Sequence, residues 1–123
     1  PWEVEGRMEE LIQKWNDSQK DFDAIVKFHA RFENIHPFQD GNGRIGRFLI
    51  LKQCIENSVD LIMIDDVYSK EYKSALYEAQ KNQNFDELKE IFVNCQKRLD
   101  EKLDFLKQTL DYIQKYEVDM NPN

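Results

Sequence analysis

The residues whose types and spacing could do chemistry lie in one stretch, residues 36–47. Gly41 and Gly43 flank Asn42, and glycine and asparagine adopt left-handed backbone more readily than other residues. Successive N–H groups in such a turn can point inward and bind an anion. A helix is predicted to begin at Gly43 or Arg44, and its free N–H groups would add to the same site. The pattern favours binding of a phosphate.

Two arginines occupy the first turn of that helix, where the macrodipole disfavours a cation by a few tenths to about 1 kcal/mol. Arg44 and Arg47 are three residues apart, so both project to the side of the predicted nest. Guanidinium groups bind phosphate oxygens in a forked geometry. Gly46 costs the helix a further ~1 kcal/mol relative to Ala, which indicates close approach of backbone or ligand. Several broken local preferences in one stretch are typical of a functional site.

A carboxylate and an imidazole flank this predicted anion site. Asp40 would repel phosphate unless a divalent cation lay between them, and Mg²⁺ prefers one or two carboxylates with phosphate oxygens and water. His36 ends the preceding helix, and an imidazole there could accept a proton from a hydroxyl that attacks phosphorus. Taken singly, each feature is more often structural: a histidine before proline is a cap, Gly-Asn-Gly is a turn, and paired arginines are solvated surface.

The stretch contains neither a P-loop nor a Rossmann glycine pattern. It matches instead, over its full length, a signature of the Fic family, His-x-Phe-x-Asp/Glu-Gly-Asn-Gly-Arg-x-x-Arg. Residues 29–35 resemble the family's His-x-x-Phe-x-x-Ile lead-in, and residues 72–76 resemble its tyrosine-containing helix. The resemblance therefore covers about residues 1–93.

The resemblance implies an all-α, Fic-like helical bundle that acts as a protein adenylyltransferase. Such an enzyme transfers a nucleotide monophosphate, most often AMP from ATP, to a Tyr, Thr or Ser hydroxyl of a target protein. By this analogy His36 is the general base, Asp40 holds Mg²⁺ on the phosphates, and Arg44 and Arg47 bind the departing pyrophosphate. Further residues implied in nucleotide or phosphate binding are Gly41, Asn42, Gly43, Gly46 and Tyr72.

Three other positions complete the expectations from the resemblance and the apolar pattern. Phe38 would be a buried anchor for the loop, and Gln80 stands where some family members have Asn. His29 lies on an apolar stripe and is predicted to be a core histidine with a hydrogen-bond partner.

Composition predicts one soluble, helical, cytoplasmic domain. The chain has 123 residues, a net charge of -7, four glycines and three prolines. The negative charge disfavours sequence-independent binding to nucleic acid or anionic membranes, and no apolar run is long enough for a membrane span or a signal peptide. Cys54 and Cys95 lie among apolar residues and are predicted to be small buried side chains rather than metal or redox sites.

The spacing of apolar residues predicts five helices. The third, apolar on nearly every side, is expected to be the central buried helix. The segment 59–64 is expected to be a buried connection rather than a strand. In the last helix apolar residues alternate at three- and four-residue spacing, so its first half should pack on the domain and its second half on something absent from this chain. The predicted helices span about residues 3–15, 21–35, 43–57, 69–82 and 85–116.

These patterns predict a single core over residues 1–116 followed by a frayed tail at 117–123. Family members usually carry further helices and a β-hairpin flap upstream, and this chain begins after the place where the flap should end. The long last helix could accordingly pack on such a missing region or on a second copy. Two other functions stay open: use of another diphosphate donor or phosphoryl transfer in the same pocket, and a non-catalytic helical interaction module.

Overall fold

A computed structural model of the chain describes the backbone of residues 2–120 and the side chains of residues 3–117. Every regular element in that range is helical, as predicted. A short 3₁₀ turn, Asp66–Tyr68, precedes the fourth helix. The five α-helices are α1 (Trp2–Asn16), α2 (Phe22–Ile35), α3 (Asn42–Glu56), α4 (Ser69–Asn82) and α5 (Asp86–Met120).

Local signals set the ends of the helices that position the site. The Asp21 carboxylate accepts a hydrogen bond of 3.0 Å from the Ala24 N–H, which caps the start of α2. Pro37 disfavours helical backbone in the residue before it, and α2 ends at Ile35 accordingly. The prediction that α5 ends at residue 116 is wrong, because α5 continues to Met120 with no glycine or proline to stop it before Pro122. The predicted tail 117–123 is thus helical up to residue 120, and residues 121–123 lie outside the described range.

The centre of the bundle is α2, which contacts α1, α3, α4 and α5. Its predicted apolar stripe is confirmed: Ile25, Phe28, His29, Phe32 and Ile35 are all buried. Half of the side chains along this helix are inaccessible to solvent because other helices pack on several of its sides. The helix that carries His36 at its end is therefore the most firmly held element of the fold.

The prediction that α3 is the central buried helix is wrong. Phe48 is 64 % exposed and Ile55 is 70 % exposed, whereas Gly46, Ile50 and Cys54 on the opposite side are buried. Within the described residues α3 is covered on the side that faces α2. The sequence shows which side chains of a helix are apolar, but it does not show how many neighbouring elements cover them.

The connection between α3 and α4 is only partly buried. Ile62 is buried, but its neighbours Leu61 and Met63 are exposed, so the expectation of a buried connection holds for one side chain. Polar contacts fix the rest of the segment. Asp65 accepts hydrogen bonds from Arg98 and Lys102 of α5 at 3.0 and 2.8 Å, and these bonds lower the pKa of its carboxyl.

The first half of α5 packs on the bundle, as predicted, and the second half is exposed among the described residues. Phe85, just before the helix, is buried with Leu88, Phe92 and Cys95 of its first half. Cys95 and Cys54 are both buried free thiols, in agreement with the prediction. What covers the second half stays a prediction. Its exposed large apolar side chains are Leu103, Phe105, Leu106, Leu110, Tyr112, Ile113 and Tyr116.

No helix within the described range combines the length and apolar content that a bilayer crossing requires. This agrees with the absence of long apolar runs in the sequence.

The close approach predicted at Gly46 occurs between α3 and α2. A Cβ at position 46 would overlap the Glu33 Oε1 atom and lie 3.4 Å from the Phe32 ring. The glycine thus leaves a notch in α3, and the carboxyl of Glu33 fills it. Phe32 and Glu33 lie on α2, whose C-terminal end is followed by His36. The notch therefore sets how closely α2 and α3, the helices on either side of the loop, can approach each other.

We expect the stability effect of Gly46→Ala to depend on Glu33. Alanine favours helix over glycine by about 1 kcal/mol, but in the wild type the new methyl group must expel the Glu33 carboxyl. In a Glu33→Ala background, Gly46→Ala should raise the free energy of unfolding by about that amount, and in the wild type it should raise it less or lower it. Urea denaturation of the four proteins measures the coupling. Equal effects in both backgrounds would show that the notch contact is energetically unimportant.

Candidate functional site

The loop between α2 and α3 contains residues 36–41, and α3 begins one to two residues earlier than predicted, at Asn42. Gly41 has φ +81° and ψ 9°, the left-handed conformation that favours glycine. Gly43 lies inside the first turn of α3, so of the two glycines expected to relieve backbone strain, Gly41 alone does so. The left-handed residue turns the chain directly into the helix.

His36 is exposed at the end of α2 in left-handed backbone, with φ 52° and ψ 59°. Its N–H donates a hydrogen bond of 3.1 Å to the Phe32 carbonyl and closes the last turn of the helix. A non-glycine residue in this conformation carries strain of roughly 1–2 kcal/mol. The backbone at residue 36 therefore determines where the imidazole leaves the chain, at the mouth of the loop.

The Asn42 side chain, 3 % exposed, holds the loop together from inside. Its Oδ1 accepts a hydrogen bond of 2.9 Å from the Phe38 N–H, and its Nδ2 donates one of 2.7 Å to the Phe38 carbonyl. The expectation that the Phe38 ring is the buried anchor is wrong, since that side chain is 48 % exposed. Two backbone bonds to an amide side chain make the anchor instead, a role that sequence spacing did not reveal.

Asp40 is exposed beside the start of α3. Its Oδ1 accepts a hydrogen bond of 2.8 Å from the Gly41 N–H, so this N–H is already occupied. The described part of the chain contains no cluster of three or more His, Cys, Asp or Glu side chains that could enclose a metal ion. A single carboxylate fits Mg²⁺ only if phosphate oxygens and water complete its coordination shell.

The first turn of α3 presents free amide donors. Its N-cap residue, Gly41, has no side chain to cap it, and the first hydrogen bond into the helix runs from the Ile45 N–H to the Gly41 carbonyl at 3.0 Å. By helical geometry the N–H groups of Asn42, Gly43 and Arg44 have no partner within the helix. They lie at the positive end of a 15-residue helix, which makes a binding site for an anion.

Both arginines fold back over the loop. The Arg47 Nη1 and Nη2 atoms lie 3.6 Å from the point that a Cβ of residue 43 would occupy, and the Arg44 Nη2 atom lies 3.9 Å from the corresponding point of Gly41. Within residues 3–117 no salt bridge occupies either guanidinium. Two unpaired cations thus lie beside three unpaired amide donors, and a phosphate group would satisfy both sets.

Beneath the loop, His29 is buried and bonded, as predicted. The His29 Nε2 and Tyr72 hydroxyl oxygen lie 2.6 Å apart and share a hydrogen bond. Burial, and secondly the charge of Arg47, lower the pKa of His29 to about 4, which keeps the ring neutral. Burial also raises the pKa of the Tyr72 phenol. His29 is a core residue in this structure.

The two positions expected from the resemblance to bear on the nucleotide base serve contacts between helices. The hydroxyl of Tyr72 is engaged by His29, and its ring stacks on Phe92 at a centroid distance of 6.5 Å. The Gln80 amide donates a hydrogen bond of 3.2 Å to the Ala30 carbonyl of α2. A nucleotide contact by Tyr72 stays a prediction, and it would have to use the ring rather than the occupied hydroxyl.

Comparison with known proteins agrees with this geometry. Residues 1–54, which include α1, α2, the loop and most of α3, match the profile of the Fic/DOC family. Over 73 residues the chain is also 41 % identical to the "Probable protein adenylyltransferase aq_aa38" of Aquifex aeolicus (strain VF5).

That alignment covers 57 % of this chain and 22 % of the relative. The chain therefore spans about a fifth of the length of the relative it matches. The Fic match ends within α3, so the family comparison extends over the loop and its supporting helix but not over α4 and α5.

We expect Asn42→Asp to disorder the loop more than Asn42→Ala does. Aspartate replaces the Nδ2 donor by a second acceptor, which then faces the Phe38 carbonyl at the distance of the lost hydrogen bond. Alanine loses both buried hydrogen bonds, which should cost about 1–3 kcal/mol, whereas aspartate loses the Nδ2 bond and adds repulsion between two acceptors. Hydrogen exchange of the Phe38 and Gly41 amides, the bonded N–H groups of the loop, measures the effect, and unchanged protection in Asn42→Asp would contradict the proposed anchor.

His36→Gly should fold more stably than His36→Ala. Glycine adopts the left-handed conformation without the steric cost of a Cβ, and the difference should be about 1 kcal/mol in favour of glycine. Thermal unfolding compares the two variants. Equal stabilities would show that residue 36 relaxes to ordinary backbone once the imidazole is removed.

Proposed function

We propose that this chain contains the nucleotide-transfer centre of a protein adenylyltransferase, which moves AMP from ATP to a Tyr, Thr or Ser hydroxyl of a target protein. The observation that carries the proposal is the uncapped start of α3, with Arg44 and Arg47 unpaired within the described residues and His36 exposed at the other end of the same loop. The printed name of the Aquifex relative supports the same reaction class.

In the proposed reaction the target hydroxyl oxygen attacks the α-phosphorus of ATP. A new oxygen–phosphorus bond forms, the bond from the α-phosphorus to the bridging oxygen of pyrophosphate breaks, and His36 accepts the hydroxyl proton. The N–H groups of residues 42–44 would bind non-bridging phosphate oxygens, and the two arginines would stabilise the leaving pyrophosphate. Such transfer depends mainly on positioning and charge neutralisation, which these residues provide.

Asp40 would hold Mg²⁺ on the phosphates. When bound, the ion would neutralise phosphate charge and spare the Asp40 carboxylate from repulsion by those oxygens. The free acceptor capacity of Asp40, beyond the bond from the Gly41 N–H, supports this assignment.

Donor specificity is a separate question from phosphate binding. The loop contacts are suited to phosphates and contain no side chain that would read a purine base, so another diphosphate-containing donor or phosphoryl transfer could use the same residues. An adenine base is proposed on the printed name of the relative. We further propose that the protein acts in the cytoplasm, where ATP and Mg²⁺ are available and free thiols such as Cys54 and Cys95 stay reduced.

A helical interaction module is the second candidate function. The specific observation in its favour is the wide apolar surface on the second half of α5, where seven large side chains from Leu103 to Tyr116 are exposed in the described residues. This surface could bind a second copy or a further region of a longer chain, and it does not exclude catalysis at the loop.

Transfer of label from ATP distinguishes these functions. We expect label from the α-phosphate, but not from the γ-phosphate, to reach protein or peptide hydroxyls in the presence of Mg²⁺. His36→Ala should reduce transfer by at least about a hundredfold, the usual contribution of a general base. Lys52→Ala, which removes an exposed α3 side chain paired with Glu56, is the matched control and should transfer normally.

Transfer from the γ-phosphate alone would indicate a kinase-like reaction. Absence of nucleotide binding, combined with a mass that increases with protein concentration, would favour the interaction module.

A further inference from the structure

The mechanism proposed above does not use the carboxyl of Glu33. Its Oε1 atom is inaccessible to solvent and has no hydrogen-bond partner in the described part of the chain. A carboxylate oxygen buried without a partner is costly, so its retention requires a compensating interaction. The notch at Gly46 holds this oxygen against the backbone of α3, one residue before Arg47.

Two cations act on the Glu33 carboxyl. Burial raises its pKa, and the positive charges of Arg47 and His36 act in the opposite direction. Arg47 also lowers the pKa of His29, which lies one turn before Glu33 on the same side of α2. Gly43 and Gly46 lie three residues apart on the same side of α3, so the Arg47 guanidinium over Gly43 and the Glu33 carboxyl beside Gly46 are neighbours on that side.

A counter-charge would stabilise Arg47 in its observed position. The side chain is exposed near the positive end of α3, which repels it, and its guanidinium lies over Gly43. The salt bridges found within 4.0 Å among residues 3–117 do not include Glu33 or Arg47. The attraction between the Glu33 carboxyl and the Arg47 guanidinium therefore acts over a longer distance than a direct ion pair spans.

We propose that Glu33 is a positioning residue that holds the Arg47 guanidinium over the start of α3. The carboxyl is fixed by the Gly46 notch, and it attracts Arg47 toward the loop from the side of α2. Arg44 lies one turn earlier, over Gly41, which is five residues before the notch. In the protein without nucleotide, the Arg47 guanidinium is therefore already oriented over the start of α3. An effect of this orientation on nucleotide binding rests on the function proposed above.

The effect on Arg47 can be measured without nucleotide. Glu33→Gln keeps the size of the side chain in the notch and removes the charge. NMR relaxation of the Arg47 Nε–H group should show greater motion in Glu33→Gln than in the wild type, with the Arg44 Nε–H unchanged. Glu90→Gln, which removes a charge from an exposed site on α5, is the matched control and should leave both groups unchanged. Unchanged motion of Arg47 in Glu33→Gln would overturn the proposal.

The effect on binding is measured by calorimetry with ATP and Mg²⁺. Glu33→Gln should weaken binding by about three- to fivefold, the range of a partly exposed charge interaction. In an Arg47→Ala background it should have no further effect, whereas in an Arg44→Ala background the full loss should persist. Equal losses in both backgrounds, or tighter binding by Glu33→Gln, would contradict a role through Arg47.

Two further outcomes separate this inference from the proposed function. If the wild type binds no nucleotide while the NMR effect is present, the positioning of Arg47 stands and the proposed function fails. If Glu33→Gln does not fold, Glu33→Asp is measured in the same two assays. Aspartate keeps the charge but shortens the reach, so Arg47 should become more mobile than in the wild type. Nucleotide binding should weaken by less than it does in Arg47→Ala. Wild-type values for both Arg47 motion and binding would overturn the proposal.

Discussion

The interaction on which the site depends is the unsatisfied positive end of α3. A helix that begins at a glycine without a side-chain cap leaves its first amide donors without partners, and this chain places two arginines beside them. Each choice costs stability in isolation, and a phosphate-bearing ligand removes both costs at once. The rest of the fold keeps the uncapped start of α3 and the two arginines together in the absence of a ligand.

The support comes mainly from α2. This helix is enclosed by four others, ends in the strained residue His36, and meets α3 through the notch of Gly46. The Asn42 amide then closes the loop on itself through the backbone of Phe38. Contacts with four helices, the close approach at Gly46 and the Asn42 bonds therefore determine how the backbone of residue 36 and the start of α3 are placed relative to each other. The proposed nucleotidyl transfer would depend on such placement.

Much of this could be predicted from the sequence because local rules apply to it. Apolar spacing placed the helices to within a few residues, and Pro37 fixed the end of α2. The glycines and arginines of the loop predict an anion site from the same kind of local rule. His29 was correctly predicted to be a core residue from its place on an apolar stripe. These inferences concern a residue and its near neighbours in the chain.

The errors concern contacts between segments. The apolar sequence of α3 suggested a central helix, but its burial depends on neighbours, and Phe48 and Ile55 are mostly uncovered in the described residues. Phe38 was expected to be the anchor from the family resemblance, whereas the polar Asn42 has that role. Gly46 signalled close approach, yet the identity of its partner, Glu33 on the preceding helix, appears only in three dimensions.

The central claim is that the start of α3 binds the phosphates of a nucleotide. The most direct measurement is an NMR titration of backbone amides with ATP and Mg²⁺. The account predicts that the largest shifts occur at Asn42, Gly43 and Arg44, with Gly41 changing less because its N–H is bonded to Asp40. Shifts that cluster elsewhere in the bundle, with these three amides unchanged, would contradict it.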